Sequence, residues 1–392
     1  MLNEANGLDR RDFILFAAAG ATALVSNVTA ASPQDKGTIK QAQAANGTVY
    51  TGDIIEGKKV IRVLDVNDLE PGRHHFYFEG VQRVAGQYWY NAVVVVKGAK
   101  PGKCVALTSG IHGDEMNPIH CIQTVLDQLD PSAMAGTVLA VLDISRPAIE
   151  GMTRRWPDSG RGTELIDMNR WWPGNENGPN AVSRHAWLVF NKLLRPNANY
   201  ALDFHTAATG MDATAFHLAD LSNPEVREMA LLFPIDQIFD DPQYPTLLAN
   251  ALIAEGIPAL TPEIGNPRRL DFDMIALFVE GTMNVLRHHG LISSPMGRTG
   301  KDSDVFIGET MGASIATHGG FLELLVNLND RVEVGQKVAI QRNAFGETVA
   351  EYASPVSGRI GARRTDASIE PGTPFLFYLI QGRGIPIEDY PE

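Results

Sequence analysis

The sequence has 392 residues, of which 44% are hydrophobic and 20% are charged, enough for a sizeable core and two or three structural units. Acidic residues outnumber basic ones by 46 to 33, and the formal net charge of −13 argues against a nucleic-acid partner, which basic clusters would bind. The two cysteines, Cys104 and Cys121, are too few for a thiolate zinc cage, so a metal site would need histidines and carboxylates. Their spacing leaves open whether they form a disulfide.

The first thirty residues have the pattern of an export signal. Arg10 and Arg11 precede an apolar run, Ile14–Val25, which is too short for a permanent membrane span and is followed by small residues up to Ala30. Paired arginines before a modest apolar run resemble a twin-arginine signal. We therefore expect residues 1–30 to engage the twin-arginine export machinery and to be cleaved after Ala30, giving a periplasmic or otherwise exported protein. A free amphipathic N-terminal helix is the alternative.

Residues 31–98 are predicted to form a polar linker and then an N-terminal β segment. The linker has no hydrophobic period. Short strand-like runs separated by turn residues follow it, at Val60–Val63, His75–Phe78 and Tyr88–Val96.

Residues 99–292 are predicted to form the main α/β domain. Strand-length apolar runs recur at Cys104–Thr108, Thr137–Ile144, Tyr200–Phe204 and Ile257–Thr261. Segments with helical period lie between or after them, at Pro118–Leu129, Ser183–Leu194, Pro224–Leu232 and Asp271–His289. Continuous apolar strands that alternate with amphipathic helices indicate a sheet covered by helices on both faces.

Residues 293–392 are predicted to form a separate, small all-β domain. The helical period disappears, and short strand-like runs punctuated by glycines take its place. These runs are Phe321–Val326, Arg331–Val334, Gln336–Ile340, Thr348–Glu351 and Gly358–Ile360.

The first motif, Ser109–Glu115, follows a predicted strand and offers His112 and Glu115 three positions apart. One tight turn can direct both side chains at a single point, and Zn²⁺ accepts imidazole nitrogen and carboxylate oxygen in catalytic sites with three protein ligands. His205, directly after another strand, is the predicted third ligand. Asp203 shares the strand face of His205 and could orient a ring.

Glu263 follows a third strand, in Thr261-Pro262-Glu263-Ile264-Gly265. A carboxylate beside a metal site can move a proton from water to a leaving amine. Its place after an apolar strand predicts partial burial and a raised pKa. Because ligands bind open α/β sheets at the C-terminal strand ends, all three motifs are expected at one edge.

Two arginine-containing segments are candidate substrate sites. Asn169 and Arg170 could anchor a carboxylate, since a guanidinium binds it through two parallel hydrogen bonds. Upstream, Arg154, Arg155 and Arg161 lie in an unusually basic loop, and one of them could stabilise the oxyanion formed during hydrolysis. Arg154 is our first candidate; Arg161 is the second and is also a candidate substrate contact.

Together these motifs resemble the succinylglutamate desuccinylase/aspartoacylase family, relatives of the zinc carboxypeptidases, over roughly Cys104 to Gly290. The family order is His-Gly-Asp-Glu, then Asp-Phe-His, then Thr-Pro-Glu-Ile-Gly. The resemblance implies a zinc-carboxypeptidase-like mixed sheet flanked by helices, with one Zn²⁺ per chain bound by His112, Glu115 and His205.

The resemblance also implies roles for the remaining site residues. Glu263 would be the general base and acid, and Asn169 with Arg170 would bind the substrate carboxylate. Here the carboxylate-binding motif reads Asp-Met-Asn-Arg instead of Asp-Leu-Asn-Arg, which keeps both of these residues. Arg154 corresponds to the family's Arg-aromatic-x-Pro segment, although the stretch from there to Asn169 looks longer than usual.

The C-terminal region has a second likeness. Val332–Ile360 resembles a biotinyl/lipoyl-type barrel-sandwich, a fold that carries its cofactor on a lysine at a hairpin tip. The equivalent hairpin here, Asn343–Gly346, contains no lysine. This domain is therefore expected to be structural and to cap or shape the active site, as comparable domains do in the family.

These features favour a zinc-dependent deacylase that cleaves the amide bond of an N-acyl amino acid. Two rivals are a zinc carboxypeptidase that trims exported peptides and a ligand-binding protein that has lost catalysis. The oligomeric state, the acyl group and the amino acid are left open by the sequence.

Overall fold

The computed structural model describes residues 47–158, 164–240 and 245–381. The expected export signal, residues 1–30, lies outside these ranges, as does Arg161. Within the described ranges, no helix combines the length and the apolar content needed to cross a membrane.

Twenty-one strands lie in the described residues. The first nine are β1 (Val49–Ile55), β2 (Lys58–Val63), β3 (Gly72–Gln82), β4 (Tyr88–Lys97), β5 (Lys100–Thr108), β6 (Ala135–Val141), β7 (Trp156–Asp158), β8 (Glu164–Ile166) and β9 (Tyr200–Asp203). The next five are β10 (Met211–Ala213), β11 (Ala215–Ala219), β12 (Gln237–Asp240), β13 (Ala259–Ile264) and β14 (Phe306–Ile315). The last seven are β15 (Gly320–Leu324), β16 (Arg331–Val332), β17 (Lys337–Arg342), β18 (Thr348–Ala353), β19 (Gly358–Arg364), β20 (Ser368–Ile369) and β21 (Pro374–Gln381).

Seven α-helices connect them in the same part of the chain. They are α1 (Met116–Asp127), α2 (Arg146–Glu150), α3 (Ala181–Val189), α4 (Pro224–Leu231), α5 (Leu248–Ala254), α6 (Phe272–His288) and α7 (Gly300–Ser303). A π-helical turn, Phe190–Leu194, continues α3, so the predicted helix Ser183–Leu194 consists of two helical types.

Fifteen of the strands form one mixed sheet. Its order is β1-β2-β3-β4-β6-β5-β9-β13-β11-β12-β14-β21-β19-β10, with β16 paired to β19. In the centre, β5, β6, β9 and β13 run parallel to their neighbours in this group, so their C-terminal ends reach one edge. The predicted mixed α/β sheet with flanking helices is confirmed.

Alternate residues of the central strands enter separate cores on the two faces of the sheet. Val105 and Leu107 pack with residues of α1, α4 and α6, whereas Ala106 packs with residues of α3 and α5. Cys121 belongs to the first core and Cys104 to the second, and both are buried free thiols. The open question of a disulfide is thereby answered: the sheet lies between the two residues.

The C-terminal strands correct one expectation. Antiparallel β sheets are present after residue 293 as predicted, but this region is not separate from the main sheet. β14 pairs in parallel with β12, and β21 and β19 continue the same sheet. β19 also pairs with β10, which closely follows His205 along the chain, so the C-terminal region is bound directly to the catalytic half.

Candidate active site

Three strand ends carry the central side chains. The loop after β5 holds His112 and Glu115, and α1 begins at the next residue, Met116. Gly110 makes the turn possible: its φ is +71°, and a Cβ there would lie 2.9 Å from the carbonyl oxygen of Leu142. His205 follows β9, where its N–H donates to Pro262 O at 2.8 Å and its carbonyl accepts from Ile264 N at 2.7 Å. This bridge places His205 beside Glu263 of β13.

His112, Glu115 and His205 converge through specific atoms. His112 Nδ1 lies 2.8 Å from Glu115 Oε1, His205 Nδ1 lies 2.9 Å from Glu115 Oε2, and the two Nδ1 atoms are 3.2 Å apart. One ligand atom from each residue lies within 4.8 Å of the others, and all three residues are buried. This donor set of two imidazoles and one carboxylate could hold a metal ion and leave a position for water.

A second carboxylate holds the far nitrogen of each imidazole. Asp203 Oδ2 lies 3.0 Å from His205 Nε2, and Thr108 donates to the other Asp203 oxygen, so Asp203 is placed where it can orient the His205 ring. Asp167 Oδ1 lies 3.0 Å from His112 Nε2, a partner that sequence reasoning missed. Such outer carboxylates fix ring orientation and direct the opposite nitrogen at a metal.

The site has an excess of negative charge. Burial acts to lower the pKa of both histidines, but the surrounding carboxylates outweigh it and raise the pKa of His112 and, strongly, of His205. Burial acts in the opposite direction on the acids, yet His112 and its cationic neighbours hold the pKa of Glu115 and of Asp167 below their usual range. A divalent cation would take the place of the protons that this field attracts, so the residues fit a metal centre.

Glu263 differs from the other carboxylates. Its desolvation raises the pKa of Glu263 to about 7, against the opposing effect of His205, while the negative charge of Glu115 adds to the rise. Glu263 is partly buried, as predicted, and the direction of its pKa shift agrees with the prediction. A carboxyl that changes protonation near neutrality suits a group that both accepts and returns a proton.

Arg154 reaches the same cluster. Its Nη1 atom lies 2.7 Å from Glu115 Oε1 and 3.4 Å from Asp114 Oδ1. These carboxylates outweigh desolvation and raise the pKa of Arg154, so the guanidinium is permanently charged. The structure therefore brings our first oxyanion candidate into the site, although its role stays a prediction.

Asn169 and Arg170 lie beside the cluster, and their polar atoms contact other residues of the chain. Asn169 Nδ2 lies 3.2 Å from His205 Nε2, and Asn169 Oδ1 accepts from the N–H of Leu248 at the start of α5. Arg170 donates to Asn169 O at 2.9 Å and lies 3.8 Å from Asp167. Their proposed contact with a substrate carboxylate also stays a prediction.

The part of the chain that contains this site is similar to a known family of catalytic domains. Residues 101–289 match the model of the succinylglutamate desuccinylase/aspartoacylase catalytic domain. This range contains the cluster residues, Asn169 with Arg170, and Glu263.

One curated relative is the N-alpha-acetyl-L-2,4-diaminobutyric acid deacetylase of Halomonas elongata. It is 26% identical over 292 residues, which cover 71% of this chain and 82% of the relative.

Two solved structures share the fold. The succinylglutamate desuccinylase/aspartoacylase of Rhodobacter sphaeroides has a TM-score of 0.70 at 21% identity, covering 82% of this chain and 100% of its own. The product-bound ectoine utilization protein EutE of Ruegeria pomeroyi has a TM-score of 0.71 at 19% identity, covering 86% and 100%.

Proposed function

We propose that this protein is a zinc-dependent deacylase that hydrolyses the amide bond of an N-acyl amino acid, since residues 101–289 match the model of the succinylglutamate desuccinylase/aspartoacylase catalytic domain. The single observation that carries the proposal is the convergence of two Nδ1 atoms and one carboxylate beside Glu263. The deacetylase activity named for the Halomonas relative supports the same reaction class.

The proposed chemistry assigns a proton path to Glu263. When bound at His112, Glu115 and His205, a divalent metal ion would act as a Lewis acid and lower the pKa of water. Glu263 accepts one proton from the attacking water while the oxygen of that water bonds to the amide carbonyl carbon. The C–N bond then breaks, and Glu263 returns the proton to the leaving amine nitrogen, so that a carboxylic acid and an amine are the products.

The arginines stabilise charge and position the substrate in this proposal. Arg154 stabilises the negative charge that develops on the carbonyl oxygen, since its guanidinium is already oriented and desolvated. Arg170, with Asn169, anchors the substrate carboxylate, and Arg161 is a further candidate for either contact. A ligand-binding protein without catalysis would not need the proton-transfer group that Glu263 supplies.

A substrate screen tests the proposal. The purified full chain, loaded with Zn²⁺, is assayed for amine release from N-acetyl, N-succinyl and N-formyl amino acids, including N-alpha-acetyl-2,4-diaminobutyrate. Short peptides with free carboxyl termini form the second arm. Turnover of the N-acyl amino acids supports the deacylase. Preferential cleavage of the peptides would make the protein a carboxypeptidase, and tight binding without any turnover would make it a binding protein.

The pH dependence of kcat/KM provides a separate prediction. Only the deprotonated form of Glu263 accepts a proton, so activity should fall as the pH drops through the pKa of this residue. That pKa is about 7 in the metal-free site, and a bound cation would lower it. We therefore expect an acidic limb whose midpoint lies no higher than about pH 7, measured from initial rates at low substrate concentration. Activity that stays constant down to pH 4 would contradict the assignment.

We also propose that residues 1–30 direct export of the protein through the twin-arginine machinery. The supporting observation is Arg10-Arg11 before the short apolar run Ile14–Val25. Fractionation of the native host and intact-mass analysis should find a periplasmic protein that begins at Ala31. Replacing both arginines by lysine should retain the protein in the cytoplasm, and an unchanged distribution would refute the proposal.

A further inference from the structure

Asp114 lies in the metal-binding loop, but it is not one of the three converging ligands. It is 2% exposed, and its two carboxylate oxygens have different partners. Oδ1 lies 3.4 Å from Arg154 Nη1, while Oδ2 accepts from the N–H of Thr209 at 3.0 Å and from its hydroxyl at 2.6 Å. Three donors, one on Arg154 and two on Thr209, therefore hold the buried carboxylate of Asp114 in one orientation.

Arg154 contacts two carboxylates, and only one of them belongs to the proposed metal site. Its shorter contact, 2.7 Å, is to Glu115, whose carboxylate belongs to the proposed metal cluster. A cation bound in this cluster would interact with the carboxylate of Glu115 and would weaken its attraction to Arg154. Asp114 is not one of the converging ligands, and two donors of Thr209 hold its Oδ2 atom, so its contact with Arg154 does not depend on the metal.

We propose that Asp114 is the positioning residue that holds Arg154 at the reaction centre when Glu115 binds the metal. This inference rests on the proposed function, because it gives Arg154 a role in that reaction. Without Asp114, Arg154 keeps only Glu115 of these two carboxylate contacts and competes with the metal for it. With Asp114 present, Glu115 can bind the metal without also having to hold Arg154. The guanidinium of Arg154 then stays available to the substrate.

Asp114, the anchor of Arg154 in this proposal, is itself held by the loops that carry the other site residues. Thr209, which follows the His205 strand end, also accepts a hydrogen bond from Arg268 Nε at 2.8 Å. Arg268 lies just after Glu263 in the chain, and its own N–H donates to Asp114 O at 2.7 Å. Its Nη2 atom donates to Met152 O in the loop that carries Arg154. Asp114 therefore joins the loops that carry the metal ligands, the oxyanion arginine and the general base.

A double-mutant cycle on the full-length protein tests the inference. The four forms are wild type, Asp114→Asn, Arg154→Met and the double variant. Zinc affinity is measured by competition with a chromophoric chelator, and kcat and KM are measured on the best substrate. Asp114→Asn should weaken zinc binding about tenfold and lower kcat/KM about 10- to 100-fold in the wild-type background, the range typical of residues that support a metal site.

Zinc affinity and kcat/KM should no longer depend on Asp114 when Arg154 is absent. In the Arg154→Met background, Asp114→Asn should change either quantity by less than about threefold, because there is no guanidinium left to misplace. Equal losses in both backgrounds would overturn the proposal and leave Asp114 a purely structural residue. If no amide substrate is found, the proposed function fails, but the zinc-affinity cycle still tests the anchor independently.

Asp143→Asn is the matched control for loss of a buried carboxylate. Asp143 accepts from the N–H of Ala92 at 2.6 Å and lies 4.0 Å from Arg146, outside the cluster. This variant should lower the thermal midpoint without showing coupling to Arg154→Met in zinc affinity. Thr209→Val removes one donor to Asp114 and should give a smaller loss of the same kind as Asp114→Asn. A Thr209→Val protein with full zinc affinity and full kcat/KM would count against the anchor.

Discussion

Replacing Glu263 by glutamine is expected to lower kcat by about 10³-fold, because the amide can neither take a proton from water nor return it to the leaving amine. Glutamine has nearly the same size and can still accept a hydrogen bond, so the fold around β13 should be kept. Burial raises the pKa of Glu263 to about 7, a range in which a carboxyl can both accept and return a proton. The effect should fall mainly on kcat, since proton transfer belongs to the chemical step.

Zinc content distinguishes loss of a base from loss of the metal. Glu263 is not one of the three converging ligands, so the Glu263→Gln protein should retain one Zn²⁺ per chain and bind substrate with a KM close to that of wild type. Its rate should also lose the acidic limb of the pH profile. A variant that keeps a tenth or more of wild-type kcat would remove Glu263 from the proton path.

The central part of the fold could be predicted because its signals are local. The buried end of the parallel strand β5 is a continuous apolar run, so the predicted strand Cys104–Thr108 corresponds to β5, Lys100–Thr108. The predicted helix Asp271–His289 likewise corresponds to α6, Phe272–His288, with Asp271 as the residue that caps it. Errors of one to four residues occur at ends, where hydrogen bonding and not hydrophobic period decides the boundary.

Several of the strands that were missed are very short or depend on distant partners. β10 has three residues and β12 has four, which is too short for a hydrophobic period to be visible. β10 is a strand because β19 lies beside it, about 150 residues further along the chain. For the same reason, the sequence predicted local strands after residue 293 but not that β14 would join them to the main sheet through β12.

The site shows the same division between local and long-range information. The ligand residues stand in recognisable motifs at strand ends, and the structure brings His112, Glu115 and His205 together. What sequence reasoning missed are the supporting contacts of Asp167 and Asp114, which span 55 and 95 residues to His112 and Thr209. Both acids lie inside the quoted motifs, Asp-Met-Asn-Arg and His-Gly-Asp-Glu. An acid next to a proposed ligand or substrate residue was therefore the available signal.

Metal removal and His205→Gln should each abolish turnover, by at least about 10⁴-fold, because three ligands are needed to hold the ion and it supplies the Lewis acid. Chelator-treated wild-type protein should regain activity when Zn²⁺ is added back, and its thermal midpoint should rise on binding, since the ion binds the folded state. His205→Gln should not recover at the same zinc concentration. Glutamine can donate to Asp203 in place of Nε2, so the variant keeps a partner for that buried carboxylate and should fold. Undiminished turnover by protein shown to contain no metal would refute the metal-dependent mechanism, whatever the outcome for Glu263.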